Sequence, residues 1–317
     1  MTHALLITNP VAARTEAATV RAVIQALCTG GWSVDVLATT QPGDAARYAA
    51  EARRQRVDVV VSYGGDGTAI QIAAALLGSG IPIGLVPGGT GNLLASNLGL
   101  PRSPVAAARA MLGAATRLVD LGVVERPGET RYFAVAAGAG FDAELMARTA
   151  AAEKQRWKMG AYVARAVEML SDVMSARFRV TVDGAAHEVT AAMLLVANCG
   201  QIMPPLVRFR SDVRPDDGWL DVMALRADGL LDGVRALGEL LWATRDSAPT
   251  TTSGAPTRVW FGRGRTVRIE SLGEPHPVQL DGEAAGETPF EARLVPGGLP
   301  VLAPLPPTPP QLPAAEP

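Results

Sequence analysis

Short apolar runs alternate with amphipathic segments through the first 125 residues. The runs are continuous, as in Val57–Ser62, and most end at glycine, proline or asparagine. Continuous apolar strands separated by helices are typical of a parallel sheet whose two faces are both covered. We therefore predict a doubly wound α/β unit, with strands at Ala4–Thr8, Trp32–Leu37, Val57–Ser62 and Ile81–Val86 and helices at Thr15–Leu27, Asp44–Arg54, Thr68–Leu77 and Asn92–Leu98.

The hydrophobic pattern changes after about residue 123. Apolar and polar positions now alternate over short segments, most clearly in Arg177–Val182, and polar or glycine-rich turns separate the segments. This pattern predicts an antiparallel sheet or sandwich. We expect an α/β domain at 1–123, a β domain with inserted helices at 124–300 and a proline-rich tail at 301–317. The expected elements of the β domain are strands at Arg131–Ala137, Phe178–Val182, Ala192–Ala197, Trp219–Ala224, Val267–Ile269 and Val278–Leu280, and helices about Ala143–Val173 and Leu230–Ala243.

Composition narrows the classes of function open to this chain of 317 residues. Apolar residues make up 48%, enough for a large core, while the net charge is −2 and aromatic residues are only 5%. A nucleic-acid partner bound by bulk charge or base stacking is therefore excluded. The most apolar stretch, Ile70–Val86, is broken by glycine and proline, so no membrane-spanning helix is predicted. The apolar run Ala4–Ile7 is too short for a secretory signal. We expect a cytoplasmic protein in which Cys28 and Cys199 are reduced core residues, without a zinc site.

The strongest chemical motif is the run GGDGT, from Gly64 to Thr68, between a buried strand and a helix. Its glycines, Gly64, Gly65 and Gly67, let the backbone approach an anion, and the helix N-terminus supplies unpaired N–H groups. Thr68 would either cap the helix or contact a phosphate. A carboxylate beside phosphates is repulsive unless a cation or a nucleotide group bridges them, so Asp66 indicates a magnesium nucleotide.

A second glycine-rich loop, Pro87–Asn92, follows the next predicted strand and repeats this design. Loops after neighbouring parallel strands lie side by side, and ligands of open α/β sheets bind in the crevice between such loops. Asn9 ends the first strand and should lie at the same edge of the sheet. The candidate nucleotide-binding residues outside the first loop are therefore Asn9, Gly89, Thr90 and Asn92.

Two acidic segments of the second domain are candidates for catalysis or metal binding. Asp281 and Glu283 follow an apolar run, and in a strand they would share one face and suit a general base or cation site. An Asp-Gly hairpin turn is the alternative, which we favour for this segment taken alone. The segment Arg214–Asp221 has clustered carboxylates at a turn, which suits either a hard cation or an ordinary turn.

Taken together, in order and spacing, these motifs resemble the diacylglycerol kinase catalytic-domain family, which includes bacterial soluble lipid kinases and the sphingosine and ceramide kinases. The resemblance covers about residues 4 to 300. It is carried by order and spacing, since no single motif is specific. The motifs are ITNPVAAR (7–14), TTQPGDAARYAAEAR (39–53), YGGDGT (63–68), PGGTGNLLA (87–95), GAGFDAEL (138–145), RPDDGWLDV (214–222) and VQLDGE (278–283).

This resemblance implies that ATP lies in a cleft between an N-terminal α/β domain and a C-terminal antiparallel β-sandwich. It implies that Glu283 is the general base that activates a lipid hydroxyl, and that Asp281 and Asp66 lie near the ATP–Mg²⁺. The family's nucleotide-contacting positions correspond to Thr39, Gly64, Gly65, Asp66, Gly67, Thr68 and Thr90.

A second metal site is also implied by the resemblance. Asp217, with the backbone carbonyls of Arg214 and Trp219, matches a structural Mg²⁺ site of bacterial members. Three segments depart from the family pattern. They are Val11–Ala13 in the first loop, Ala69–Gln71 where a glutamate is usual, and Cys199–Pro205 where a glycine-rich run is usual.

The sequence thus predicts an ATP- and Mg²⁺-dependent kinase for diacylglycerol or a related lipid. An enzyme similar to NAD kinase, or a non-catalytic regulator that binds nucleotide or lipid, is the alternative. A lipid acceptor requires a transient membrane surface, for which Lys154–Met159 and Leu206–Arg210 are candidate docking segments because they mix basic and apolar residues. The expected location is the cytoplasm, with peripheral binding at the inner face of the membrane, and a homodimer is left open.

Overall fold

The computed structural model describes residues 1–140, 174–203, 207–208, 212–229, 232–233, 235 and 258–305. The predicted helix at 143–173 lies outside these residues, and so does nearly all of the one at 230–243. The docking segment at 154–159 is outside them too, as are the side chains at 206–210. No helix in the described part of the chain combines the length and hydropathy needed to span a bilayer.

A four-stranded parallel sheet forms the N-terminal unit, in the order β2-β1-β3-β4. Helices cover both faces, so the predicted doubly wound α/β class is confirmed. All residues of β3 and β4 are buried, and the aliphatic side chains of these strands do not alternate with exposed polar ones. The elements are β1 His3–Thr8, α1 Ala17–Thr29, β2 Ser33–Ala38, α2 Asp44–Gln55, β3 Val59–Gly64, α3 Asp66–Leu76, β4 Ile83–Pro87, α4 Leu93–Asn97 and α5 Pro104–Met111.

Each face of this sheet has its own hydrophobic core. On one face α1 and α5 pack through Val23, Leu27 and Met111 against the sheet. On the other, α2 and α3 pack through Ala49 and Ile72, together with side chains of the second unit. The two cores hold the four strands in a fixed register, so the loops that follow the strands meet at one edge.

Antiparallel strands form the second unit and close into a two-layer sandwich. One layer has the order β14-β13-β10-β7-β16-β17, and the other contains β18-β15-β8-β9 with β5 and β6. Phe133, Phe178 and Phe290 fill the space between the layers and are 3% exposed or less. The strands are β5 Thr116–Arg126, β6 Glu129–Phe133, β7 Ala136–Gly140, β8 Ala176–Val182, β9 Ala185–Ala191, β10 Met193–Ala197, β11 Gln201–Met203, β12 Val207–Arg208, β13 Leu220–Leu225, β14 Val259–Gly264, β15 Thr266–Ser271, β16 Pro277–Leu280, β17 Glu283–Glu287 and β18 Phe290–Leu302.

The long strand β18 joins the two units into one sheet. Its first half pairs with β15, and at its end Val301 and Leu302 pair in parallel with Ile83 and Gly84 of β4. The strand β5 lies antiparallel to most of β18 and spans residue 123, where we expected the domain break. Residues 301 and 302 belong to this strand and not to a tail, because their apolar side chains are buried in the sheet that continues from β4.

Candidate active site

The carboxyl ends of β1 and β3 meet at the point where the strand order of the parallel sheet reverses. Such a switch point is the usual ligand crevice of an open α/β sheet. Asn9 follows β1, and its N–H donates to the carbonyl of Tyr63 at 2.9 Å. Thr39 follows β2, and its N–H donates to the carbonyl of Thr8 at 2.9 Å. The structure therefore brings both predicted residues to this edge.

The first glycine loop turns directly from β3 into α3. The helix begins at Asp66 with Gly65 as its N-cap, and no side chain caps it. The prediction that Thr68 could cap the helix is wrong, because Thr68 lies inside the first turn. Its hydroxyl accepts a hydrogen bond from the Asn9 Nδ2 at 3.4 Å. The Thr68 N–H donates to the Gly65 carbonyl at 3.1 Å. The start of the helix still presents the positive end of its dipole to an anion.

The two glycine loops are in backbone contact, as predicted from their positions after β3 and β4. The N–H groups of Gly88 and Gly89 both donate to the carbonyl of Gly64, at 2.8 and 3.0 Å. A Cβ atom at Gly89 would lie 2.7 Å from the Cα of Gly65, which is closer than real Cβ contacts. Glycine at 89 therefore allows the two loops to pack directly against each other.

Asn92 closes the second loop on itself. Its backbone is left-handed, with φ of 49°, and its side chain pairs with both backbone groups of Gly89. The Gly89 N–H donates to Oδ1 at 2.9 Å, and Nδ2 donates to the Gly89 carbonyl at 2.6 Å. Thr90 lies exposed at the tip of this fixed loop, beside the first loop.

Asp66 connects the first loop to α4. Its carboxylate accepts the N–H of Leu94 at 3.1 Å, and it lies 3.1 Å from where a Cβ at Gly91 would be. Burial raises the pKa of Asp66, which the hydrogen bonds from Leu94 and its neighbours only partly oppose. A desolvated carboxylate between the two glycine loops is a position where a cation would be stabilised.

The carboxylates at 281 and 283 lie on a hairpin and not on one face of a strand. Leu280 pairs with Glu283, and Asp281 and Gly282 form the turn with φ of 48° and 82°. Positive φ at both central residues is the type I′ turn that Asp-Gly favours. The hairpin turn that we favoured for this segment taken alone is therefore present, and the alternative of two carboxylates on one strand face is wrong. The turn points the two carboxylates toward different neighbours.

Asp281 is turned inward, against the bend between β6 and β7. Its carboxylate accepts three backbone N–H groups, from Ala134 at 2.7 Å, Val135 at 2.9 Å and Ala136 at 3.0 Å. Burial raises the pKa of Asp281 to about 6, with the charge of Asp66 adding to the rise and the three N–H groups opposing it. The expected single strand Arg131–Ala137 is interrupted at this bend.

Glu283 brings a side chain of the second unit against the glycine loop after β3. A Cβ atom at Gly67 would lie 2.8 Å from the Glu283 Oε1, so the carboxylate lies directly over the first turn of α3. The side chain is 55% exposed and forms an ion pair with Arg131 at 3.5 Å. The glutamate near the end of the chain and the loop after β3 are therefore parts of one site.

The segment predicted to bind a structural metal forms a tight turn. The carboxylate of Asp217 accepts the N–H groups of Arg214 at 3.2 Å and Trp219 at 3.0 Å. Burial raises the pKa of Asp217. Across the described residues no group of three or more histidine, cysteine or acidic side chains is arranged around a common metal position. Asp217 remains a predicted metal ligand.

Two contacts near the site were not predicted from the sequence. Asn97 of α4 pairs with the backbone of Gln201, its Nδ2 donating to the carbonyl and its Oδ1 accepting the N–H, both at 2.9 Å. Arg131 reaches the general-base candidate from β6. Neither residue stands in a motif, so no local signal in the sequence identifies it.

Two family models match this chain. Residues 3–124 match the model described as diacylglycerol kinase catalytic domain. Residues 135–303 match the model described as YegS C-terminal NAD kinase beta sandwich-like domain. Together they account for both units described above.

Named relatives match over most of the chain. A diacylglycerol kinase of Mycobacterium tuberculosis is 33% identical over 271 residues, which cover 82% of each protein. A probable lipid kinase YegS-like of Stenotrophomonas maltophilia is 31% identical and covers 84% of this chain and 85% of its own. An uncharacterized protein of Synechocystis is 24% identical, and the match spans 55% of its length.

Solved structures show the same fold. A putative diacylglycerol kinase from Bacillus anthracis superimposes with a TM-score of 0.76 over 95% of this chain and 96% of its own, at 22% identity. The predicted combination of an α/β unit and an antiparallel β unit is thereby confirmed.

Proposed function

Because the chain belongs to the diacylglycerol kinase catalytic-domain family, we propose that it transfers the γ-phosphate of ATP to the hydroxyl of a lipid. The acceptor class is diacylglycerol or a related lipid, as in the names of its relatives. Phosphoryl transfer depends mostly on positioning and charge stabilisation, with a carboxylate that accepts the proton of the attacking hydroxyl.

The observation that carries this proposal is the contact of Glu283 with Gly67. A carboxylate of the second unit lies on the helix turn that would hold the phosphates, which is where a general base must be to reach an attacking hydroxyl. Its side chain is largely open to solvent, so an acceptor can approach it. No single unit of the fold provides both parts of this arrangement.

ATP would be held at the edge formed by the two glycine loops. The N–H groups at the start of α3 would bind phosphate oxygens, with the positive end of the helix dipole behind them. Thr39 lies at the same edge, after β2. Further nucleotide contacts are proposed for Asn9, Gly64, Gly65, Gly67, Thr68, Gly89, Thr90 and Asn92.

Mg²⁺ fits the acidic residues of this edge. Asp66 and Asp281 are desolvated carboxylates that repel each other, and oxygen ligands are those that Mg²⁺ prefers. Bound there with the nucleotide, the ion would neutralise phosphate charge. We also propose Asp217, with the carbonyls of Arg214 and Trp219, as a second, structural Mg²⁺ site, since its carboxylate lies beside both residues.

Glu283 would act as the general base within this arrangement. Its carboxylate would accept the proton from the lipid hydroxyl as the oxygen attacks the γ-phosphorus, while the bond to the ADP oxygen breaks. Asp281 would place the hairpin that carries Glu283, because its three N–H contacts fix the turn to the β6–β7 bend.

A transfer assay with labelled ATP and Mg²⁺ tests the proposal. The acceptors are diacylglycerol, ceramide, sphingosine and phosphatidylglycerol in mixed micelles, with NAD as a separate acceptor. Label in one of the lipids is expected. Label in NAD alone would instead support the NAD kinase-like alternative, and ATP binding without transfer to any acceptor would support a regulator.

A further inference from the structure

We propose that Arg131 is the positioning residue for Glu283, holding its carboxylate over the nucleotide loop. The inference rests on the proposed function, in which Glu283 is the general base. It concerns a residue of β6 that stands in none of the motifs.

Glu283 needs a partner to hold one orientation. It is the first residue of β17, and β17 is the edge strand of its sheet. Its side chain is 55% exposed, so packing does not restrict its rotamers. Asp281 fixes the turn before it but does not contact the Glu283 carboxylate in any described hydrogen bond. An unrestrained glutamate samples several rotamers. The rotamer present here places Oε1 over Gly67.

Arg131 makes the contacts that such a restraint requires. Its Nη1 donates to the carbonyl of Ala284 at 2.6 Å, which fixes the guanidinium against the backbone of β17. Its Nη2 then lies 3.5 Å from the Glu283 Oε2. On the opposite side its Nε is 3.8 Å from the carboxylate of Glu129. The arginine side chain is 27% exposed, so it is more restricted than the glutamate that it meets.

The shape of the guanidinium explains why arginine stands at this position. Its planar fork presents separate N–H donors in fixed directions, so one group can bind a carbonyl and a neighbouring carboxylate together. A lysine ammonium at the same place would keep the charge but lose the fixed spacing between the two contacts. Arg131 therefore orients Oε2, which leaves Oε1 over Gly67.

Arg126 provides a matched control on the same hairpin. It lies on the neighbouring strand β5, and its Nη2 donates to the carbonyl of Glu287 at 2.8 Å, at the far end of β17. Both arginines thus donate from the β5–β6 hairpin to a backbone carbonyl of β17. Only Arg131 also meets the Glu283 carboxylate in the described contacts, so the pair separates a role in positioning Glu283 from a role in holding the strand.

Steady-state kinetics of the chain of 317 residues tests the inference. Arg131→Gln should lower kcat by about tenfold or more while the KM for ATP changes by less than about twofold, because the base is displaced and the nucleotide loops are not. Arg131→Lys should recover part of kcat. Arg126→Gln should keep the kcat of the unmodified protein. Equal kcat losses in Arg126→Gln and Arg131→Gln would overturn the inference.

The Gly67 amide resonance provides a test that needs no activity. In Arg131→Gln this resonance should move toward its position in Glu283→Gln, because both changes remove the carboxylate from Gly67. In Arg126→Gln it should stay in place. An unmoved resonance in Arg131→Gln would overturn the inference even if the protein phosphorylates lipid. If no lipid is phosphorylated but the Gly67 resonance shifts as predicted, the proposed function would be overturned. The positioning of Glu283 by Arg131 would still stand.

Discussion

At the scale of single residues, the site depends on one missing side chain. Gly67 has no Cβ, and the Glu283 carboxylate lies where that atom would be crowded, 2.8 Å away. The close approach lets a residue of the sandwich reach the start of α3. In the proposed function this loop needs its glycines to bind phosphate, and one of them, Gly67, also makes room for the candidate base.

Gly67→Ala should impair transfer without impairing the fold. Its backbone φ is outside the left-handed region, and the atom that the new methyl meets is the far end of a flexible side chain. Glu283 can move away at little cost, so the melting temperature should hold while kcat falls by roughly tenfold or more. Gly273→Ala, where a Cβ meets nothing within 4 Å, is the control for kinetics and calorimetry. An unchanged kcat in Gly67→Ala would contradict the contact.

Asp281 makes the stability of the fold depend on pH. Its pKa is raised to about 6 in the folded protein, from an ordinary value of 3.8, so folding favours the protonated form. The carboxyl therefore contributes its full stability below about pH 4, and this contribution is lost as the pH rises through about 6, by at most about 3 kcal/mol.

Urea unfolding of the unmodified protein and Asp281→Asn at about pH 4 and about pH 7.5 measures this dependence. The amide can accept only part of the three N–H bonds, so the substitution destabilises at both pH values. The loss of unfolding free energy in Asp281→Asn should be smaller at the higher pH, because there the buried carboxylate of the unmodified protein is charged and destabilises it. Equal losses at the two pH values would contradict the raised pKa.

At the scale of elements, the sequence predicted the strands and helices whose limits are set by residues close to them in the chain. The strands β1, β3 and β4, the helix α2 and both glycine loops follow from apolar runs and breakers within a few residues. The strand β18 was missed because Pro296, Gly297 and Gly298 interrupt it, and its pairing with β5 shifts register there. The bend after Phe133 was missed because a carboxylate far along the chain, Asp281, holds it. The helix α5 was also missed, because at two turns it is too short to show a clear helical repeat of apolar residues.

The contact between α4 and β11 should contribute measurably to stability. Asn97→Ala removes both side-chain hydrogen bonds to the Gln201 backbone. The N–H and the carbonyl of Gln201 then lose these two partners. The expected loss is about 2 kcal/mol in the free energy of unfolding. Arg54→Ala is the control, since it breaks an exposed ion pair on α2 that should contribute less than about 1 kcal/mol. Chemical denaturation measures the free energy of unfolding of both variants. Equal losses in Asn97→Ala and Arg54→Ala would contradict the stabilising role of the contact.

At the scale of the whole molecule, the two units share both a sheet and a core. The strand β18 leaves the sandwich and pairs with β4 of the N-terminal sheet. The core that contains Ile72 and Leu94 also contains Leu195 and Met223 of the second unit. The change near residue 123 from continuous apolar runs to alternating apolar and polar positions predicted two units. Neither pattern shows which distant strands pair, so the shared sheet was not predicted. The glycine loops and the Glu283 hairpin therefore form a site held by continuous structure.

Removing the end of β18 should destabilise the N-terminal sheet as well as the sandwich. A chain shortened to residues 1–298 loses Leu299, Val301, Leu302 and Ala303, all 7% exposed or less. It leaves β4 paired with β3 but without β18 on its other side. A chain of residues 1–305 keeps them and should have the same melting temperature as the chain of 317 residues. Differential scanning calorimetry compares the two. Equal melting temperatures for 1–298 and 1–305 would contradict the shared sheet.

The central claim is that Glu283 is the base for phosphoryl transfer, and single-turnover transfer from bound ATP tests it most directly. Glu283→Gln keeps the size of the side chain and removes the proton acceptor. Its transfer rate should fall by about a hundredfold or more, while its affinity for ATP stays the same. Glu287→Gln, at the other end of the same exposed strand, should transfer at the rate of the unmodified protein. Transfer by Glu283→Gln at the unmodified rate would contradict the account.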